Sequence, residues 1–172
     1  MHKFAKLIRD IPDFPKKGIV FKDISTLIKD GPAFSEVTEI FFEQLKNQKV
    51  DSVVAIESRG FIFGGALANK LKCGLIPVRK KGKLPWFTEK EEYELEYGTD
   101  SLHIHKDALK RGENVVIVDD LLATGGTIGA TCRLVEKLGG KVGKILVLVE
   151  LAFIPAREKL KNYDLFSIVK YE

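Results

Sequence analysis

Short, mostly apolar runs recur along the chain and alternate with segments whose apolar residues are spaced three or four positions apart. The run at 115–118 consists entirely of β-branched residues, and comparable runs occupy 50–56, 75–78, 144–150 and 166–169. Runs of this length are too short for amphipathic helices and are typical of buried strands, such as those of a parallel sheet covered on both faces. We therefore predict a strand at each of these places.

Helices are predicted where apolar residues recur at helical spacing between these runs. One follows Pro32, a residue suited to the first turn of a helix, and carries an apolar stripe over 34–45. Near the amino end, the apolar spacing over 1–11 predicts a short amphipathic helix that ends before Pro12. The remaining predicted helices cover 61–71, 127–138 and 156–160.

The most informative chemistry follows the run at 115–118, where the two carboxylates of Asp119 and Asp120 precede a glycine-rich turn. The turn reads Ala123-Thr124-Gly125-Gly126-Thr127. Its glycines let the backbone approach a ligand, and the free N–H groups and dipole of the helix beginning there favour an anion. The carboxylates lie at the carboxyl end of a strand, where open α/β sheets bind ligands, and can accept hydrogen bonds from hydroxyl groups. A sugar phosphate would satisfy both halves.

This turn differs from two commoner phosphate-binding motifs. It lacks the Gly-Lys-Ser/Thr ending of a Walker A loop, and its glycines do not follow the G-x-G-x-x-G order of dinucleotide folds. It matches the motif that binds phosphoribosyl pyrophosphate (PRPP) in type I phosphoribosyltransferases. The alternative, an acidic strand end and a turn that bind nothing, leaves two kinds of binding chemistry without a use.

Two further loops carry cations. The run at 50–56 ends in Glu57-Ser58-Arg59-Gly60, where the guanidinium of Arg59 suits a pyrophosphate; an exposed arginine without a ligand is the alternative. After the run at 75–78, the segment 79–83 places four cations in five positions. Such a cluster is typical of a solvated face or of an anion site.

The region at 86–105 predicts an extended hairpin. Aromatic and acidic residues are interleaved over 86–97, and the part at 94–98 alternates without the apolar content of a core strand, as lids over active sites often do. His103 and His105 share one face of the next strand, but a His-x-His metal site would need further ligands at suitable spacing.

An apolar cluster at 13–24, which includes Phe14, Ile19 and Phe21, fits either the core or one wall of a flat pocket. From the residues alone, the core interpretation is favoured.

Bulk composition limits the class of protein. A chain of 172 residues is long enough for one domain with a substantial core. Its composition, with 45% hydrophobic and 30% charged residues, is that of a globular protein and excludes disorder and collagen-like or repeat architectures. A net charge of +4 is too small to indicate nucleic-acid binding by itself. Cys73 and Cys132 have no metal-ligand spacing, and no signal peptide or membrane-spanning run is present, so we expect core cysteines in a cytoplasmic protein.

With these residues placed, the chain resembles the adenine phosphoribosyltransferases along nearly its whole length. The segments that carry the resemblance are 13–24, 57–61, 79–85, 95–98 and 118–127. The resemblance implies an α/β fold with a central, mainly parallel sheet flanked by helices, a small N-terminal hood and a flexible lid hairpin. It implies one domain over 1–172, with the hood segment at 1–30 and the lid arm at 84–105.

The resemblance also implies a purine salvage reaction. Adenine and PRPP would give AMP and pyrophosphate, in a homodimer without nucleic-acid or membrane partners. Magnesium would be held mainly through PRPP, near Asp119 and Asp120, and not by a direct protein site.

The roles of individual residues follow from the resemblance. The turn at 123–127 is expected to hold the 5′-phosphate, and Asp119 and Asp120 the ribose hydroxyls. The other expected substrate-binding residues are Ser58, Arg59, Arg79 and Lys83 around the pyrophosphate, Phe21 against adenine, Val20 and Lys22 reading the adenine edge through backbone groups, and Tyr97 in the lid. The family commonly has arginine where this chain has Lys22, which matters only if the guanidinium itself recognises the base.

Glu96 and Arg59 are the expected catalytic residues. Arg59 would neutralise charge on the departing pyrophosphate, and Glu96, matching the lid glutamate of the family, would accept or relay the proton that adenine loses. The alternative for Glu96 is a solvated charge among several acidic neighbours. Alternatives for the whole protein are a phosphoribosyltransferase for another base, a PRPP-sensing regulator and a catalytically silent binding protein; the regulator would need a DNA-reading module, for which the N-terminal segment offers no room.

Overall fold

The computed structural model describes residues 3–94 and 99–172. Its N-terminal part is a small unit that stands beside the main sheet. A 3-10 helix (Lys3–Leu7) leads into strand β1 (Arg9–Pro12), which pairs antiparallel with β2 (Val20–Asp23) as a separate two-stranded sheet. Helices α1 (Ser25–Lys29) and α2 (Gly31–Glu43) follow. The Asp30 side chain caps α2, with a proline in the first turn as predicted.

The helix predicted to reach Ile11 is wrong beyond Leu7. Ile11 pairs with Phe21 in the two-stranded sheet, and Arg9 forms an ion pair with Asp23 at 2.6 Å. These contacts to a segment farther along the chain favour an extended backbone over the helix that local periodicity predicted. Phe4, Ala5 and Ile8 are nevertheless buried in the core. The apolar positions therefore predicted burial correctly, although the segment is not the predicted amphipathic helix over its whole length.

A seven-stranded sheet forms the body of the protein. In chain order its elements are β3 (Ser52–Ile56), α3 (Gly60–Leu71), β4 (Gly74–Lys80), β5 (Thr88–Glu94), β6 (Thr99–His105), β7 (Asn114–Leu122), α4 (Gly126–Lys137), β8 (Lys141–Leu151), α5 (Ala156–Lys159) and β9 (Leu165–Tyr171). The strand order is β5-β6-β4-β3-β7-β8-β9. Neighbours from β4 to β9 are parallel, whereas β6 and β5 extend the edge antiparallel. The predicted fold class, a mainly parallel sheet flanked by helices, is confirmed.

The sheet is buried on both faces, as the apolar runs predicted. Along β7, Val116 and Val118 pack in one core cluster with α2 and α3, whereas Val115 and Ile117 pack in a second cluster with α4. Successive side chains of a strand point to opposite faces, so every residue of an unbroken apolar run is used. No helix in the described ranges is long and apolar enough to cross a membrane.

This topology determines where a ligand can bind. Strands β3 and β7 are parallel neighbours, but α3 leaves β3 toward one face and α4 leaves β7 toward the other. A crevice opens at the carboxyl ends of two strands whose connections diverge in this way. Strand β7 also runs farther than predicted, so that Asp119 and Asp120 belong to the strand itself and pairing with β8 continues to Leu122.

Both cysteines are free. Cys132 is fully buried in the core cluster around α4, and burial raises the pKa of its thiol to about 12. Its predicted role as a small core residue is confirmed.

The packing of α3 on β3 gives a stability test. A Cβ added at Gly64 would lie 2.5 Å from the Cβ of Ala55, whereas one added at Gly65 would have only Leu75 within 4.0 Å. We expect Gly64→Ala to lower the free energy of unfolding by about 1–3 kcal/mol through overpacking. The matched Gly65→Ala variant should be neutral or up to ~1 kcal/mol more stable, because alanine favours a helix interior. Urea denaturation compares the two variants; equal stabilities would show that α3 can move away from β3 without cost.

Candidate active site

A cleft of about 500 Å³ lies at the carboxyl ends of β3 and β7. Its walls come from the hood, from the loop after β3, from the sheet edge and from the turn between β7 and α4. The lining residues are Phe21, Glu57, Ser58, Arg59, Lys80, Tyr93, Leu102, Asp119, Asp120, Leu121, Leu122, Ala123, Thr124, Gly125, Gly126, Thr127 and Ile128. The acidic strand end, the glycine-rich turn and the arginine loop, which are far apart in sequence, therefore share one cleft.

The glycine-rich turn leads directly into α4. Gly125 precedes the first residue of the helix with φ of 77°, a conformation that favours glycine, and no side chain caps the helix. The first N–H groups of α4 are therefore available to an anion in the cleft. A Cβ at Gly126 would lie 3.3 Å from the Tyr93 ring and 3.4 Å from the carbonyl oxygen of Glu94, so β5 closes tightly over the same turn.

Asp119 and Asp120 are both buried, at 8% and 6% exposure. The carboxylate of Asp119 accepts a hydrogen bond of 2.9 Å from the backbone N–H of Asp120, and Arg59 Nε lies 2.9 Å from Asp120 Oδ2. Burial, followed by the charge of Asp120, raises the pKa of Asp119 well above its usual range. Burial also raises the pKa of Asp120, although the Arg59 guanidinium acts against it. The two carboxylates thus form a hydrogen-bond acceptor site, and their burial lowers the stability of the fold.

Arg59 bridges two walls of the cleft. In addition to its ion pair with Asp120, its guanidinium carbon lies 4.8 Å from the ring centroid of Phe21. The next residue explains why the loop comes so close to the acidic pair: a Cβ at Gly60 would lie 2.9 Å from the carbonyl oxygen of Val118 and 3.0 Å from Asp119 Oδ1. A glycine is required for this approach.

Glu57 connects the arginine loop to the cationic segment. Its carboxylate accepts hydrogen bonds from Arg79 Nε at 2.9 Å and from the backbone N–H of Lys80 at 3.0 Å. Arg79 also donates to the carbonyl oxygen of Lys83 at 3.1 Å. Lys80 lines the cleft, whereas Arg79 and Lys83 are not among its lining residues.

The hood contributes Phe21 to the cleft, but Val20 and Lys22 do not line it. The ammonium of Lys22 lies 2.7 Å from Asp10 Oδ1 and 3.9 Å from the ring centroid of Tyr171, and its side chain is 12% exposed. The Lys22 side chain is therefore committed to the other hood strand and to the last strand of the sheet. Phe21 is half-buried and meets Phe14 edge to face at 5.2 Å. For this part of the 13–24 segment, the pocket-wall interpretation is correct and the core interpretation is wrong.

Sequence reasoning missed Glu57, Lys80 and Tyr93 as cleft residues. Glu57 adjoins the predicted loop and Lys80 lies within the predicted cationic segment, so sequence proximity was the available signal. Tyr93 reaches the turn only because β5 folds back over α4, which no local pattern indicates. Glu96 and Tyr97 lie outside the described residues.

The residues of this cleft fit a magnesium ion that is held mainly through the phosphates of a substrate. Within 3–94 and 99–172, no group of three or more His, Cys, Asp and Glu side chains could hold a metal ion. Magnesium commonly binds one or two carboxylates together with substrate phosphates, and the Asp119–Asp120 pair beside the glycine-rich turn offers such carboxylates. The two ring nitrogens of His103 lie 3.0 Å from the Thr88 hydroxyl and 3.2 Å from the Ser101 hydroxyl.

Comparison with known proteins agrees with this geometry. Residues 25–172 match the family model described as phosphoribosyl transferase domain. The chain is 56% identical over 171 residues to an adenine phosphoribosyltransferase of Thermoanaerobacter sp., covering 99% of each protein. Two crystal structures are similar to it. That of the Thermoanaerobacter pseudethanolicus adenine phosphoribosyltransferase has a TM-score of 0.96 at 56% identity, with 98% of each chain covered. That of the Saccharomyces cerevisiae enzyme, complexed with an imino-altritol bisphosphate and adenine, has a TM-score of 0.91 at 39% identity, with 96% of each chain covered.

The acidic strand end, the glycine-rich turn and the arginine loop thus occupy one cleft in a chain that matches these relatives almost from end to end. The chain belongs to the phosphoribosyltransferase family, and within it to the adenine phosphoribosyltransferases.

Proposed function

We propose that this protein transfers the 5-phosphoribosyl group from PRPP to adenine, giving AMP and pyrophosphate. The observation that carries the proposal is the single cleft in which the start of α4, the Asp119–Asp120 pair and the Arg59–Phe21 contact meet. A phosphate cradle, an acceptor for hydroxyls and an aromatic surface beside a cation are the groups that a phosphoribosyl donor and a flat base require.

The phosphoribosyl group binds between the turn and the strand end. Residues 123–127 hold the 5′-phosphate through the N–H groups at the start of α4 and through the hydroxyls of Thr124 and Thr127. Asp119 and Asp120 accept hydrogen bonds from the ribose hydroxyls. Both groups are fixed by a strand and a helix of the sheet, so the sugar is held in one orientation.

The departing pyrophosphate is met by Ser58 and Arg59. When ribose hydroxyls bind Asp120, they replace the guanidinium as its partner, and Arg59 becomes available to the pyrophosphate oxygens. Arg79 and Lys83 lie next to this loop and are proposed to contribute to the same anion site. Magnesium bound with PRPP would neutralise part of the charge on the phosphate oxygens.

The base lies against Phe21. Because the ammonium of Lys22 is committed to Asp10 and Tyr171, it is not directed to the base, and the reading of the adenine edge falls to the backbone groups of Val20 and Lys22. A lysine in place of the arginine common in the family is therefore compatible with base recognition. Glu96 is proposed to accept or relay the proton of adenine, and Tyr97 to close the lid over the site.

The organisation around this site is also proposed. A single domain over 1–172 would have its hood at 1–30 and its lid arm at 84–105. A homodimer is supported by the exposed aromatic pair Trp86 and Phe87, which are 54% and 69% exposed and contact each other at 5.3 Å. Free cysteines support a reducing, cytoplasmic setting, and no nucleic-acid or membrane partner is proposed.

The function is tested by measuring AMP formation from adenine, PRPP and magnesium, with hypoxanthine, guanine and xanthine in parallel. We expect adenine-selective turnover that is lost in the Asp119→Asn, Asp120→Asn double variant. Turnover only with another base would keep the PRPP site but overturn the base assignment. Retained PRPP binding without turnover for any base would instead favour a regulator or a silent binding protein.

The raised pKa of Asp119 gives a second test. The pKa of the Asp119 carboxyl is higher in the folded than in the unfolded state, so its ionisation destabilises the fold. The full cost applies at a pH above the folded-state pKa, and no cost applies at a pH below the unfolded-state pKa. We expect Asp119→Asn to raise Tm at pH 7, because the variant no longer buries an ionised carboxylate at this position. Each kcal/mol of stability recovered should raise Tm by about 2–4 °C, and the increase should become smaller as the pH is lowered. Turnover should fall about 10- to 100-fold, because a charged acceptor for a ribose hydroxyl is lost.

Asp23 provides the control of opposite sign for this thermal measurement. Hydrogen bonds from Ser25 and Arg9 lower the pKa of Asp23 to about 2, so Asp23→Asn should lower Tm at neutral pH. A Tm for Asp119→Asn at or below that of the unmodified protein would contradict a cost of burial at this position.

Glu96 gives a kinetic test. Replacing Glu96 by Gln keeps the size of the side chain but removes its ability to accept a proton, so we expect kcat to fall by ~10² to 10⁴ while PRPP affinity is retained. Glu94→Gln, an acidic neighbour in the same arm, is the matched control and should turn over normally. Full activity of the Glu96→Gln protein would leave Glu96 as a solvated charge.

A further inference from the structure

An ion pair outside the cleft stands directly behind the phosphate-binding turn. Glu150, 3% exposed near the end of β8, accepts hydrogen bonds from Arg157 Nε at 2.6 Å and Arg157 Nη2 at 2.7 Å. Ser167 of β9 also donates to Glu150, and Arg157 donates to the carbonyl oxygen of Leu165 at 3.3 Å. Burial acts to raise the pKa of Glu150, but the hydrogen bonds from Arg157 and Ser167 outweigh it, so its pKa lies below the usual range.

This pair is placed at the same sheet edge as the active site. Glu150 is the register partner of Leu122 in the parallel pair β7–β8, and Leu122 is the residue from which the turn at 123–127 leaves the sheet. Arg157 belongs to α5, a helix of only four residues. A single turn is not stable alone, so the position of α5 depends on its tertiary contacts.

Those contacts lead to the turn. A Cβ added at Gly125 would lie 3.3 Å from the carbonyl oxygen and 3.4 Å from the Cβ of Ala156, the first residue of α5. A Cβ added at Gly129 would meet Leu160, just after α5, at 3.8 Å. Ala156 and Leu160 are each 2% exposed. Ala156 and Leu160, which flank α5, therefore lie next to Gly125 and Gly129 at the start of α4.

The start of α4 needs such support from behind. Gly125 carries a positive φ, and no side chain caps the helix. The N–H groups offered to the phosphate are therefore oriented by backbone conformation and packing and not by a side-chain cap. Neither Glu150 nor Arg157 lines the cleft, so any influence they have on a ligand must pass through α5 and the turn.

We propose that Glu150 and Arg157 are positioning residues that hold α5 against the turn at 123–127 and thereby set its affinity for the 5′-phosphate of PRPP. This inference rests on the proposed function for the identity of the ligand. It assigns no contact with substrate to either side chain. Their effect should appear in PRPP binding and not in the binding of adenine, which lies against the hood.

The experiment compares variants by calorimetric titration with PRPP and by steady-state kinetics. We expect Arg157→Met to raise the Kd and the KM for PRPP by about 10- to 100-fold, as displacement of a binding group by ~1 Å can do, with the KM for adenine unchanged. Arg157→Lys, which keeps the charge but loses the two-point contact, should fall between Arg157→Met and the unmodified protein. The Glu150→Gln, Arg157→Met double variant removes the unpaired buried carboxylate and should keep the PRPP defect while recovering stability.

Lys144 provides the matched control on the same strand. Its ammonium lies 3.0 Å from Asp164 Oδ2 and forms an ion pair between a mostly buried β8 side chain and an exposed partner, near the opposite end of the strand from Glu150. Lys144→Met should lower Tm and leave the KM for PRPP unchanged. An equal rise in KM for PRPP in Lys144→Met, or an unchanged Kd in the Arg157 variants, would overturn the positioning role.

The outcomes separate the two proposals. An unmodified protein that binds PRPP but turns over no adenine overturns the proposed function, while the Kd ratios of the variants still decide the positioning role. If Arg157→Met does not fold, Arg157→Lys and the double variant give the same comparison. An unmodified protein that binds no PRPP overturns both proposals.

Discussion

Two adjacent carboxylates buried at the carboxyl end of β7 set the electrostatic condition that the rest of the site must meet. Taking a charged carboxylate out of water costs several kcal/mol unless partners replace the lost hydration. Here the partners are the Asp120 N–H for Asp119, and the Arg59 guanidinium with backbone N–H groups for Asp120, and both acids keep raised pKa values. The pair is thus incompletely compensated by the protein itself. Ribose hydroxyls would supply the missing donors. The free energy lost when the carboxylates are buried would then be regained when a sugar binds.

The same logic applies to the cations around the cleft. Arg59 is paired with Asp120, Arg79 with Glu57 and Lys80 with Asp100, and each of these side chains remains about one-third exposed or more. Their carboxylate partners are less exposed, at 8%, 13% and 25%, so each pair joins a partly solvated cation to a more buried anion. Because water still reaches the three cations, they would be accessible to phosphate oxygens. The site holds its cations in place without binding them so tightly that a polyanion could not compete.

How much of this was visible in the sequence depends on the distance over which each feature is formed. The acidic strand end and the glycine-rich turn are contiguous, so the local pattern predicted the turn and the helix that follows it, although β7 continues to Leu122; their ligand stays a prediction. The five parallel strands were predicted from apolar runs because both faces of the sheet are buried there, whereas β5 and β6 were expected as a hairpin from alternation. The two-stranded hood did not, because β1 exists only through its pairing with β2, and local periodicity over 1–11 favoured a helix instead.

Side chains whose role depends on distant partners were beyond the reach of any local pattern. Lys22 is held by Asp10 in the other strand of the two-stranded sheet and by Tyr171 at the other end of the chain, and these contacts commit its ammonium outside the residues that line the cleft. Tyr93 reaches the turn because β5 folds over α4, and Arg157 reaches Glu150 because a loop returns from β8. A short motif can specify which ligand is bound, since main-chain groups do most of the binding. The rigidity of that motif depends on residues distant in sequence that pack against it. The topology brings these residues together, so they can be identified only in the folded chain.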